Sequence, residues 1–463
     1  MTVTLRTRSD ITLDVYERVA WCGETVDIGR DALGSIDAAR AAFLRLAARP
    51  GVFVYGVTSG YGDRAATTLD ATERRQQSRA VSLRAASFGD PLPERVTRGI
   101  VLARLANFLD GHAAVSAKLV GAVAAMLDGR ALPPVPLQGN GGSGEILALA
   151  HLFAPLIEST ELGEKEGLAL INGSPCAAAL VADAAVAARR RLDLVYDAFA
   201  VSVEAFRAPL SAYDEALDRL WGDAHDAAAL ARLRARLGAD EDRRLYQAPV
   251  AYRILPRILG QAERAAAAAT DAAAVALRSV TDNPVYLPPT DGEPDGRVLS
   301  TGGYHNAAAP AALHDLALCW VDVCQLAERH VERLVFDEHP LQTDGAELPR
   351  LLLMVAVGYS EEARAATQPV VLPRGGPGQN DVASPAFLAY ARERAAGAAL
   401  EAGLAVLAAA ASRRADGLRL LPGPRSVVAN AADADDALRG CGPVGHELAR
   451  LADRLRSRIW DAR

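Results

Sequence analysis

The sequence predicts an all-α fold, a long central helical bundle with loop-rich ends. Three observations carry this expectation. Half of the 463 residues are hydrophobic but only 5% are aromatic, so the core must be filled by small aliphatic side chains, which suits closely packed helices. Long segments repeat apolar residues at every third or fourth position. Between them stand a few islands rich in Gly, Pro and Asn, which cannot continue a helix. The length suffices for two to three units. No fixed-period repeat or long linker separates them, and the expected division is 1–176, 177–430 and 431–463.

Taken in order, Ser9-Asp10 is expected to cap a first helix carrying Leu13, Val15, Val19 and Trp21. A second helix is expected over about 29–48, where Leu33, Ile36, Phe43, Leu44 and Ala47 share a face. The segment from Pro50 to Gly62 holds four glycines and several β-branched or aromatic residues, so it reads as irregular. Helix is expected again over about 72–87 and 94–127. The proline-rich Leu132-Pro133-Pro134-Val135-Pro136 then leads into Gln138-Gly139-Asn140-Gly141-Gly142-Ser143-Gly144-Glu145. Further helices are expected over about 145–156, from 164 onward, and over 177–208 and on to 237. A third island starts at Tyr246-Gln247-Ala248-Pro249 and runs, after a short helix, from Thr281 to His305. Leu313, Leu316, Trp320, Cys324, Ala327, Val331 and Leu334 then mark one of the clearest helices. The last large island is 368–385, and more helix follows it to the C-terminus.

Several function classes are excluded. The net charge of −7 is spread without long blocks of one sign, whereas a nucleic-acid surface needs clustered positive charge. The five cysteines are odd in number and scattered, as buried thiols of a reducing compartment would be. The N-terminus lacks a signal-peptide core. The apolar run from Ala395 to Ser412 contains Glu401 and is mostly alanine, which reads as a bundle helix and not a membrane span. A cytoplasmic protein with no membrane or nucleic-acid partner is expected. The eight histidines and the cysteines lack zinc-site spacings, so no metal is expected. Lys118 and Lys165 are the only lysines and neither has a supporting motif, so no pyridoxal phosphate is expected either. His330, on an apolar helix, reads as a core histidine.

The remaining candidates are polar residues on the islands. Tyr55 lies beside glycines, Asn172 and Ser174 interrupt an apolar helix, and Arg253 stands beside Tyr252. Tyr304-His305 and Gln379-Asn380-Asp381 each follow a glycine pair. Singly, each has an ordinary structural explanation.

Together these segments resemble the aromatic amino acid lyases, which comprise histidine, phenylalanine and tyrosine ammonia-lyases and their aminomutase relatives, with a fumarase/aspartase-like helical architecture. Tyr55-Gly56-Val57-Thr58-Ser59-Gly60-Tyr61-Gly62 resembles the family's Tyr-Gly-Val-Asn-Thr-Gly-Phe-Gly. Gly142-Ser143-Gly144-Glu145 with Leu149-Ala150-His151 resembles Ala-Ser-Gly-Asp…Leu-Ala-His. Glu166 to Gly173, the Gln247–Pro256 segment, Thr281-Asp282-Asn283-Pro284, Gly302-Gly303-Tyr304-His305 and Gln379-Asn380-Asp381 follow in the family's order.

The resemblance implies a prosthetic group, 4-methylidene-imidazole-5-one, made autocatalytically. The Gly144 nitrogen would attack the Gly142 carbonyl, and loss of two waters would leave Ser143 as a dehydroalanine-like methylidene. It implies that Tyr55 removes the β-proton, although tyrosine, with a pKa of about 10, needs help to do so at neutral pH. It implies that Arg253 clamps the substrate carboxylate in a two-bond fork, and that Asn172, Gln247 and Tyr304 hold the group or the substrate. It further implies a homotetramer whose active sites are shared between chains.

Four positions depart from the family. Gly142 replaces Ala. Val250 stands where a second tyrosine is usual. Asn380 stands where Glu or Gln is usual. Arg84, next to Leu83, falls where the family reads the substrate side chain. A buried guanidinium is costly without a partner, so Arg84 needs either an internal acid or a substrate with an acceptor. The leading expectation is an ammonia-lyase. A 2,3-aminomutase and a catalytically weak scaffold relative are the alternatives. The acid–base signature of the fumarase group, Gly-Ser-Ser-x-Met-Pro-x-Lys-x-Asn, is missing.

Overall fold

A computed structural model describes all residues except 239–242, 246, 337–346, 377, 416–417, 440–442 and 462–463, with backbone alone at 63, 347–349, 435 and 437–439. Tyr246, Pro377 and Cys441 therefore lie outside the described residues. The fold is all-helical in its bulk. Five long helices, Pro175–Phe206, Leu255–Ala276, Ala308–Phe336, Glu347–Ala365 and Ala386–Ser412, form the bundle. The most extensive packing is between Ala308–Phe336 and Ala386–Ser412, with Pro175–Phe206 packed against both. Alanines line these contacts and let the backbones approach closely; Ala177 to Ala179 and Ala408 to Ala411 are buried.

Two segments, 166–206 and Ala386–Ser412, are long and apolar enough to cross a membrane, but 100% and 89% of their most apolar windows lie inside the fold. Sheet is confined to two small pairs. Thr2–Leu5 runs parallel to Thr25–Ile28, with Val3 opposite Val26. Val285–Leu287 runs antiparallel to Arg297–Leu299, with Tyr286 opposite Val298.

Four expected elements change. The short helix expected before Thr281 is the 22-residue bundle helix Leu255–Ala276, whose alanine-rich face packs into the core. The first helix is only Leu13–Tyr16, followed by a π-helical turn, and its cap is Thr12, whose side chain accepts from Val15 N. Asp10 instead folds back to accept from Arg6 N at 2.7 Å and Thr7 N at 3.0 Å. The stretch 94–127 is two helices, Glu94–Phe108 and Ala117–Ala125, because Asp110, Gly111 and Ala114 take positive φ between them. The stretch 72–87 is an α-helix only over Ala71–Arg79, capped by Asp70, and then tightens into the 3₁₀ turn Ala80–Arg84.

Among the described residues the bundle's buried charges are partnered. Arg191, fully buried, meets Glu393 and Glu401 at 3.0 Å each. Asp183 accepts from Arg95 at 2.8 Å and from the Tyr390 hydroxyl at 2.6 Å. His330 is a core residue. Its Nδ1 meets Ser202 Oγ at 2.9 Å and its Nε2 meets the Ala251 carbonyl at 3.2 Å. Tyr252 stacks on it at 3.9 Å.

Burial holds the His330 imidazole neutral and lowers its pKa to about 3. Below its usual pKa of about 6.5 the unfolded chain then binds one proton more than the folded chain, so stability falls with falling pH by up to ~1.4 kcal/mol per unit from this group. Urea midpoints between about pH 7 and about pH 5 check this. His330→Gln is expected to be less stable at the upper end yet flatter with pH. Parallel curves would contradict the assignment.

Candidate active site

The glycine loop is fixed from several directions. On its entry side the proline-rich segment runs beside residues 90–92: Leu92 N donates to Val135 O and Leu137 N to Asp90 O, both at 2.8 Å. Asn140 Nδ2 donates to Pro136 O at 2.6 Å. On its exit side Glu145 is buried with φ +57, a left-handed conformation. Its carboxylate accepts Cys176 N at 2.6 Å and Ala177 N at 2.8 Å. These are orphan donors of the first turn of Pro175–Phe206, where an anion is favoured. Burial still pushes the Glu145 carboxyl up to about 7, against the pull of those two N–H groups and of Arg104.

Between these anchors, Gly142 has φ +103 and Gly144 φ +72, angles that strain residues with a Cβ. A Cβ on Gly144 would lie 2.3 Å from Asn172 Oδ1, whereas one on Gly142 would meet nothing within 4 Å. The Gly142 carbonyl accepts Ser384 N and the Gly144 carbonyl accepts Gly173 N, each at 3.2 Å. The Ser143 hydroxyl donates to Asn380 Oδ1 at 2.9 Å.

Beneath the loop lies a buried polar layer. Asn172 Nδ2 donates to Asn283 O at 2.7 Å. Arg104 Nη1 donates to Ala169 O at 2.6 Å and to Asn172 O at 2.9 Å. Asn107 Oδ1 accepts Thr281 N at 2.6 Å and Asp282 N at 3.1 Å. Lys165 and Asp282 form a fully buried ion pair, and Lys165 also donates to Ala113 O at 2.9 Å. Burial lowers the lysine's pKa while Asp282 opposes the fall. Lys165 is thus engaged in the fold.

Above the layer opens a cavity of about 400 Å³. It is lined by Ser143 and Asn172, by Tyr55 and Tyr304, and by Arg84 and Asn380, all singled out from the sequence. The 55–62 turn is held by Gln77, whose Nε2 donates to Gly56 O at 3.1 Å and Ser59 O at 3.2 Å. Gly62 N donates to the Tyr55 hydroxyl oxygen at 3.0 Å, an N–H that would stabilise negative charge there. Arg84 lies over the Tyr61 ring at 4.4 Å.

Other expected residues stand elsewhere. Leu83 is 83% exposed and does not line the cavity. Gln247, also exposed, lines a separate cavity with Arg243, Arg244 and Phe206. Arg253 donates from Nε to Ala248 O at 2.9 Å and lines neither cavity. Val250 is 57% exposed on the same segment, while Tyr252 is buried against Phe206 and His330.

Sequence reasoning assigned no role to Tyr61, Arg64, Asn283 or Gln379, all of which line the cavity, nor to Arg104 and Glu145. Tyr61 carried a signal, a hydroxyl where the related motif has phenylalanine. Arg104 carried another, as an arginine inside the apolar Glu94–Phe108 helix. Among the described residues no group of three or more His, Cys, Asp or Glu is placed to hold a metal ion.

The sequence profile described as "Aromatic amino acid lyase" matches residues 11–160 and 157–425. A histidine ammonia-lyase from Streptococcus gordonii is 28% identical over 355 residues, covering 70% of this chain and 68% of that one. Two solved structures share the fold. Ergothionase from Treponema denticola, an ergothioneine-degrading enzyme, has TM-score 0.87 at 17% identity over 99% of both chains. Tyrosine aminomutase from Streptomyces globisporus has TM-score 0.84 at 20% identity over 99% of this chain and 98% of that one.

The buried layer gives a stability test. Asp282→Asn leaves the Lys165 ammonium buried and unpaired, and about 3–5 kcal/mol of unfolding free energy should be lost. Chemical denaturation measures it; a loss below ~1 kcal/mol would show the pair to be dispensable.

Proposed function

This chain belongs to the aromatic amino acid lyase family and is a carbon–nitrogen lyase; from that premise we propose that it eliminates ammonia from an α-amino acid through a self-made methylidene-imidazolone. Membership supports ammonia-lyase or aminomutase chemistry in general. The observation that carries the narrower reading is the state of the tripeptide. Its residues fit the group. Gly144 sits at positive φ where Asn172 Oδ1 leaves no room for a Cβ. The Gly142 carbonyl accepts an N–H from Ser384, which polarises the carbon that must be attacked. The Gly144 N–H has no acceptor among the described residues, so its nitrogen is available to join that carbon. The change from Ala to Gly at position 142 removes a side chain that the ring does not use.

When formed, the methylidene-imidazolone supplies an electrophilic carbon that takes up the substrate amine and makes nitrogen a better leaving group. The Tyr55 oxygen, as phenolate, takes the proton from Cβ. Gly62 N–H donates to that oxygen and orients it. The electron pair left on Cβ forms the Cα=Cβ bond as the Cα–N bond breaks. Asn172, fixed to Asn283 O, closes the space beside Gly144, and Asn380 lines the cavity next to position 143, accepting from the Ser143 hydroxyl before ring formation expels it as water.

Arg253 and Gln247 enter from a neighbouring copy of the chain, with Arg253 clamping the α-carboxylate. Two observations support this. Neither lines the Tyr55 cavity of its own chain. The bundle also leaves large apolar side chains outside, Val275 at 65%, Met354 at 70% and Leu388 at 51% exposed, as a surface that packs against copies would. A homotetramer in a reducing cytoplasm fits both this and the unpaired Cys22, Cys176, Cys319 and Cys324.

Three experiments test the reading. Ammonia release and the unsaturated acid are measured on an amino acid panel; recovery of a β-amino acid instead would assign the aminomutase reaction. Tyr55→Phe should lower kcat roughly 10²–10⁴-fold, and an unchanged kcat would remove Tyr55 from the mechanism. Separately, Tyr55→Phe and Arg253→Ala proteins, each inactive, should regain activity when denatured together and refolded as mixed oligomers. Failure of the mixture to recover activity would place Tyr55 and Arg253 in one chain's site or in none.

A further inference from the structure

Arg84 ends the 3₁₀ turn Ala80–Arg84 and lines the cavity beside Ser143 and Tyr55. Its Nη1 donates to Ala80 O at 3.3 Å, and the guanidinium also draws on the Tyr61 hydroxyl, whose pKa burial raises and the arginine pulls down. The guanidinium is half-buried and lies over the Tyr61 ring at 4.4 Å, which fixes its plane by cation–π contact. Tyr61 is held in turn, between Gly60 and the Gly62 whose N–H binds Tyr55. A guanidinium has five N–H donors in a fixed fork, so most of this fork is open to a ligand. A second cation, Arg64, also lines the cavity, and among the described residues no Asp or Glu does. Among the described residues no carboxylate lies within ion-pair distance of Arg84 or Arg64.

With no described acid of its own chain beside it, Arg84 has an acceptor on the substrate as the partner the cavity offers. We propose that this enzyme's substrates are amino acids whose side chain ends in a carboxylate, and that Arg84, braced on Tyr61, is the specificity residue that binds it. The proposal rests on the lyase reading for the reaction and on Arg253 of a neighbouring copy for the α-carboxylate, which leaves Arg84 for the side chain. The chemistry agrees with the placement. A carboxylate on Cβ, or conjugated to it through a ring, takes up negative charge as Tyr55 removes the Cβ proton. A guanidinium fork on that carboxylate stabilises the charge where it develops. The cavity, at about 400 Å³, has room for either a short or a ring-borne side chain.

The test is binding to the Ser143→Ala protein, which cannot make the electrophile. The probes are two pairs, L-aspartate with L-asparagine, and 4-carboxy-L-phenylalanine with L-phenylalanine, titrated by calorimetry. The acid of at least one pair should bind roughly ten- to a hundredfold more tightly than its neutral partner, and which pair shows the gap tells whether the anion sits on Cβ or across a ring. Arg84→Met in the same background should close the gap by weakening the acids alone. Arg84→Lys, which keeps the charge but not the fork, should leave part of it. Equal binding within both pairs would overturn the proposal. So would equal weakening of acids and neutral partners by Arg84→Met, because the arginine would then hold the α-carboxylate common to all four. A gap that appears while the unsubstituted enzyme releases no ammonia would refute the lyase reading and leave the specificity of Arg84 standing.

Discussion

Backbone conformation at two glycines is the constraint on which the site depends. Gly142 and Gly144 flank Ser143 at φ +103 and +72, and nothing local imposes those angles. They are imposed by contacts from remote parts of the chain. Ser384 N–H holds the carbonyl of Gly142, Gly173 N–H holds that of Gly144, and Asn172 closes the space beside Gly144. Glu145 pins the exit to the N-terminus of the longest bundle helix. A glycine-rich loop that would be mobile by itself is thereby held in one shape, as a ring closure between backbone atoms requires.

The same need explains why an alanine-rich bundle tolerates so much buried charge. Lys165–Asp282, Arg104 and Asn107 hold the segments 165–174 and 281–283 under the loop. Removing one partner from such a layer leaves a buried charge or donor uncompensated, so the layer is rigid as well as costly to disturb. The charges deeper in the bundle, such as Arg191 between Glu393 and Glu401, follow the same rule away from the site.

What the sequence made readable followed from period and punctuation. The helices around Pro175–Phe206, Ala308–Phe336 and Ala386–Ser412 were legible because their apolar positions recur at helical spacing over many turns. The islands were legible because Gly, Pro and Asn break that spacing. Six of the residues singled out from the sequence, Tyr55, Arg84, Ser143, Asn172, Tyr304 and Asn380, line one cavity. Features set by long-range contact were not legible. The break at Asp110-Gly111 needed the left-handed conformation of an aspartate. The cap made by Glu145, the buried fork of Arg104 and the stack of Arg84 on Tyr61 join residues 23 to 68 positions apart. Gln247 and Arg253 were picked by resemblance, and neither lines the Tyr55 cavity of its own chain.

The central claim is that the held tripeptide becomes an electrophile. The most direct measurement is the intact mass of freshly purified full-length protein beside its Ser143→Ala variant. The account predicts an unsubstituted protein lighter than its sequence mass by two waters, and a variant at its full sequence mass. An unsubstituted protein at full sequence mass, with Gly142-Ser143-Gly144 recovered intact on peptide mapping, would contradict it.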